Sequence, residues 1–180
     1  MDILIDFLLS KFPEDHGNVA VFGYKESYKL VYKDSIWMKV VENVSQSTQN
    51  EAFIIFVTEK WFPNEWAMVL LDKYNRNLYF YYTPSDFGDE ELLEHKFQKI
   101  YREIAETCVG VHVVDIHVKR ISKDVYGQGE SGLVILSLLQ KFLKRGEPEI
   151  KISSLEISSI GFQCLKHIVP SLIPQYRYNC

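Results

Sequence analysis

The chain has 180 residues, 47% of them apolar and 24% charged, with a formal net charge of −4. That length suits one domain, residues 1–180, with a full core, and the mild acidity offers no broad electrostatic surface for nucleic acid. Cys108, Cys164 and Cys180 are odd in number and far apart, so neither a zinc site nor a redox pair is signalled. The expectation is an intracellular chain, cytoplasmic or nuclear, with no cofactor and no membrane partner. The many aromatics, 11 Tyr and 11 Phe, fit a strand-rich core.

In chain order, MDILIDFLLSKFP reads as a short amphipathic helix stopped near Pro13; Asp2 and Asp6 interrupt it and no basic stretch precedes it, unlike a signal peptide. No run approaches the ~20 apolar residues of a membrane span. From Val19 to Tyr32 the pattern predicts short strands around a turn, and SIWMKVVENVS is open between helix and strand. AFIIFVT predicts a buried strand. EWAMVLLDKYNRNLYFYY predicts a hairpin of two buried strands around a polar turn. Leu93, Phe97, Ile100 and Ile104 recur at helical spacing, which predicts an amphipathic helix near residues 89–107.

GVHVVDIHVKR alternates, with Val114, Ile116 and Val118 on one face. His112 and His117 then point to opposite sides, which argues against a shared metal. A glycine-broken loop leads into a helix from Ser131 to about Lys144. That helix is apolar nearly all round, so it belongs in the centre of the fold. Gly146 and Pro148 end it, and a weaker helix is expected from Ser158 to Val169. The expected fold is α+β, a twisted sheet packed on a central buried helix.

The stretch GQGESGLVILSLLQ carries the chemical question. A helix N-terminus concentrates unpaired N–H groups and about half a positive charge, so the first turn of a buried helix after a glycine loop is a natural seat for a nucleophile. Ser131 stands in that place. The plainer reading is a serine N-cap.

The hairpin NEWAMVLLDKYNRNLYFYYTPSD, the amphipathic helix, the strand and the SGLVILSLLQKF helix together resemble the adenovirus endopeptidase (adenain) and the related cysteine proteases that cut ubiquitin-like proteins. The resemblance covers about residues 52–145 and implies a papain-like fold of the adenain type. In that family a His-Trp pair opens a strand, the return strand delivers an acid, a Gln precedes the nucleophile, and a Cys-Gly pair starts the central helix. Here Trp66 and Gly132 match. Glu65 stands at the histidine position, Tyr82 and Thr83 at the acid, Tyr126 at the oxyanion glutamine with Gln128 out of place, and Ser131 at the cysteine.

These substitutions do not rescue one another. A serine hydroxyl needs a neighbouring base more than a thiol does. A carboxylate with a pKa of ~4.3 is a poor base for it. The resemblance therefore implies a catalytically inactive pseudoprotease of viral or mobile-element type. It would bind a protein through its vestigial groove, with Trp61, Phe62 and Trp66 as groove contacts beside Gln128. The partner is left open between a ubiquitin-like protein, a viral structural protein and a second copy of the chain. The alternatives are a rebuilt hydrolase or acyltransferase using Ser131 and Glu65, and an unrelated α+β interaction domain.

Overall fold

The computed structural model describes residues 1–11, 19–47, 53–59, 66–83, 90–122, 130–146 and 151–172. The elements run α1 (Asp2–Lys11), β1 (Val19–Phe22), α2 (Tyr24–Val31), α3 (Ser35–Ser47), β2 (Phe53–Glu59), β3 (Trp66–Asp72) and β4 (Asn77–Tyr82). They continue with α4 (Glu90–Ile104), which passes into a π-helical turn (Ala105–Val109), then β5 (Asp115–Arg120), α5 (Ser131–Arg145) and α6 (Ser154–Leu172).

The five strands form one mixed sheet in the order β1-β2-β3-β4-β5. The central three are joined by antiparallel pairing, and each outer strand is parallel to its neighbour. The central strands are apolar at almost every position because both faces of the sheet are covered. Ile55, Val57, Met68, Leu70, Tyr79 and Tyr81 face the layer of α1, α5 and α6. Their neighbours Ile54, Phe56, Val69, Leu71, Phe80 and Tyr82 face the layer of α2, α3 and α4. The fold is thus the expected α+β class with one more layer than a sheet on a single helix.

The α5 helix is the pivot of the first layer. Val134, Ile135, Leu136, Leu138, Leu139 and Phe142 are all buried, between the sheet on one side and α1 and α6 on the other. Gly146 closes the helix in the left-handed region at φ 67°, where its N–H donates to the Phe142 carbonyl at 2.7 Å.

Several sequence expectations are corrected. Of the stretch Val19–Tyr32, only Val19–Phe22 is a strand; Tyr24–Val31 is a helix. Tyrosines at 24, 28 and 32 look strand-prone, but their spacing of four stacks them along one helix face, with successive ring centroids 5.8 and 4.8 Å apart. Residues 35–47 are helical, started by Asp34, whose carboxylate accepts from the Ile36 and Trp37 N–H groups at 2.9 and 3.4 Å.

Val114 lies ahead of β5 and is 60% exposed, so it does not share the inner face of Ile116 and Val118. His112 also precedes that strand, beside Glu106 at 3.2 Å, while His117 stacks on Tyr79. α6 starts four residues earlier than expected. Glu156 folds back on Ser153, its carboxylate accepting from the Ser153 N–H at 2.8 Å and hydroxyl at 2.9 Å. The helix also continues through Pro170 to Leu172.

Two outcomes follow from this packing. Leu139→Ala is expected to lower the free energy of unfolding by about 2–5 kcal/mol in urea titration, because the cavity would open in a fully buried helix. Glu156 also bonds Lys141 Nζ at 2.7 Å, and that bond above all holds its carboxyl below the usual carboxylate range. A depressed pKa contributes stability above the unfolded value of ~4.3, and this is lost as pH falls through the folded value. Glu156→Gln should therefore cost stability at pH 7, and the difference from the parent should vanish in acid, as followed by thermal melts across pH.

Candidate functional site at the start of the central helix

The first turn of α5 is built from three distant parts of the chain. Glu130 is the N-cap residue; its carbonyl accepts from the Val134 N–H at 3.0 Å, and its side chain makes no capping bond. Ser131 is therefore the first residue inside the helix and not its cap, which corrects the plainer reading of that serine. Its hydroxyl turns to the sheet instead: Oγ accepts a hydrogen bond from the backbone N–H of Trp66 at 3.3 Å. The residue is 7% exposed. This bond ties the first residue of β3 to the first residue of α5, 65 positions apart in the chain.

Gly132 follows for a steric reason. A Cβ there would lie 3.1 Å from the methyl carbon of Met1 and 3.3 Å from Cδ1 of Trp66. The indole of Trp66 and the thioether of Met1 thus close over the helix start where any side chain at position 132 would stand. Tyr24 meets Trp66 edge-on, with centroids 5.2 Å apart. Its backbone N–H donates to Asp2 Oδ1 at 2.6 Å. Met1, Asp2 and Tyr24 were not picked out in the sequence; no residue pattern connects a helix at position 2 with one at position 131.

The two residues at the expected acid position separate. Tyr82 pairs in register with Ala67 and turns to the α4 side. There its hydroxyl bonds Glu94 and accepts from Arg120 Nε at 2.7 Å, while Arg120 Nη2 reaches the same Glu94 carboxylate at 2.9 Å. Burial, then the Glu94 bond, push the Tyr82 phenol well above its ordinary range, so it stays a neutral donor. Thr83 follows, 2% exposed, one step beyond the Ala67–Tyr82 pair and at the end of the sheet that carries Trp66. The structure therefore gathers Trp66, Ser131 and Gly132 at one point and brings Thr83 to the same end of the sheet. Glu65, Trp61, Phe62, Tyr126 and Gln128 lie outside the described residues.

Other nucleophiles and bases sit elsewhere. Cys108 is buried in the layer beyond the sheet from α5, and burial raises its thiol pKa, so it is held as an inert thiol. Cys164 is buried on α6. His95 is exposed on α4, and His167 stacks on Phe7 at 4.1 Å. Among the described residues no three His, Cys, Asp or Glu side chains gather as a metal site, and no helix is long and apolar enough to cross a membrane.

No protein-family model matches the chain, and no curated protein matches it. Solved structures do. The SUMO protease Ulp1, with its catalytic cysteine oxidised to a sulfenic acid, superimposes with a TM-score of 0.64 at 10% identity, over 94% of this chain and 78% of that one. The sulfonic acid form gives the same values. A de-sumoylating protease gives a TM-score of 0.51 at 11% identity, over 94% of this chain and 73% of that one. The chain has the fold of the Ulp1-type cysteine proteases, and the likeness reaches well beyond residues 52–145.

Ser131→Ala is expected to lower stability by about 1 kcal/mol, the scale of one lost hydrogen bond, because the Trp66 N–H loses its acceptor. Urea unfolding followed by circular dichroism measures this. Unchanged stability would mean that the bond contributes nothing to the fold.

Proposed function

We propose that this chain is a catalytically inactive protein of the Ulp1-type protease fold, working inside the cell as a binding module for the tail of a ubiquitin-like protein. The observation that carries the reading is the Ser131 hydroxyl. At the seat of a nucleophile it is nearly buried and serves as an acceptor for the Trp66 backbone N–H. A nucleophile needs a lone pair aimed at a substrate carbonyl and a base to take its proton. One lone pair of this oxygen is engaged by the Trp66 N–H, and Met1 and Trp66 close over the next residue. The sequence supports the same reading, since Glu65 replaces the family's histidine and Tyr82 and Thr83 replace its acid. A groove shaped for an extended tail can still bind by main-chain hydrogen bonds and side-chain pockets after the chemistry is lost. SUMO is named for the structural neighbours and is the first ligand to test.

The experiment has two arms. A fluorophosphonate probe should leave Ser131 unlabelled, and a SUMO precursor should remain uncut. Calorimetric titration with SUMO should give saturable binding that weakens at least tenfold in Trp66→Ala, about 1.4 kcal/mol. Labelling that disappears in Ser131→Ala would overturn the inactive reading in favour of a rebuilt hydrolase. SUMO binding indifferent to Trp66 would overturn the groove.

A further inference from the structure

The N-terminal turn of α1 lies on the start of α5. The Met1 methyl and the Trp66 indole both fall within 3.3 Å of the point where a side chain at Gly132 would begin. Met1 and Leu4 pack against the same apolar cluster as α5. A polar contact fastens the turn, the bond from the Tyr24 N–H to Asp2 Oδ1 at 2.6 Å. Further along, Ile5 and Leu8 are 2% and 0% exposed, so the body of α1 is core and stays in place. Only the first turn, with Ile3 71% exposed, stands at the edge of the packing.

The fastening sits over a glycine with no room for a side chain. A Cβ on Gly23 would meet Asp2 Oδ1 at 2.8 Å and Glu26 Oε2 at 3.0 Å, so two carboxylates converge on the same glycine. A cavity of about 380 Å³ lies beside them, bordered by Asp2, Asp6, Gly23, Lys25 and Glu26.

We infer that the first turn of α1 is an intramolecular occupant of the groove head. Met1 fills the slot between Trp66 and Gly132, the Asp2–Tyr24 bond latches it there, and release of that turn opens the slot to an unbranched apolar side chain of a partner's tail. Methionine is suited to this role because its flexible thioether fills an irregular apolar gap and leaves without disturbing the backbone around it. The latch stands on these contacts alone, while the competition with a partner rests on the binding function proposed above.

The test reads the two parts separately. Oxidation of the Met1 thioether by dilute peroxide, followed by mass spectrometry, reports its exposure without any partner. Asp2→Ala should speed that oxidation severalfold, and Asp2→Asn, which keeps the acceptor oxygen, should stay near the parent. Equal rates in the parent and both variants would overturn the latch. In calorimetry, Asp2→Ala should bind SUMO severalfold more tightly than the parent. Unchanged affinity despite faster oxidation would overturn Met1 as a competitor. If SUMO binds no variant, the groove reading fails, and the oxidation rates still decide the latch.

Discussion

Everything at the site depends on where α5 begins. A helix apolar on nearly all sides has one stable place, between the sheet and a second layer of helices, and here that layer is α1 with α6. Burying the helix brings its first turn against the end of β3. The backbone groups left there need partners, since an unpaired buried N–H costs as much as a lost hydrogen bond. Ser131 and the Trp66 N–H answer that need together. The contact that completes this corner of the fold is thus made by the first side chain of the central helix.

The end of β4 is closed by side-chain bonds in a similar way. Tyr82 joins Glu94 and Arg120 in a closed polar set that fastens the ends of β4 and β5 to α4. A phenol serves such a set well because it donates and accepts through one oxygen. Its high pKa, caused first by burial, makes it a poor proton carrier. These bonds hold this end of the sheet together.

Much of the fold was legible in the sequence, because buried strands and a buried helix leave strong marks. β2, the β3–β4 hairpin, α4 and α5 stand where apolar runs and helical spacing place them. The misreadings have local causes. Tyr24, Tyr28 and Tyr32 suggested strands by residue type, while their spacing of four was the better signal. The start of α6 was hidden in an ordinary Ser-Ser-Leu-Glu stretch whose meaning depends on Glu156 folding back on Ser153. Trp66 and Gly132, singled out in the sequence by their dipeptides, do lie against each other in the fold. The role of Ser131 was not readable, because a first-turn residue and an N-cap differ by one position, and only the direction of the hydroxyl tells them apart. Met1 and Asp2 were beyond sequence reasoning, since their contacts arise from α1 packing across the fold.

The span between Trp66 and Ser131 also bears on the order of assembly. The β2–β3–β4 meander closes through short connections, and its contacts form at little entropic cost. The hydrogen bond at the seat has to wait until a chain segment of 65 residues, carrying α4 and β5, has been laid down. This topology implies that the junction of β3 with the start of α5 is among the last parts of the molecule to become native.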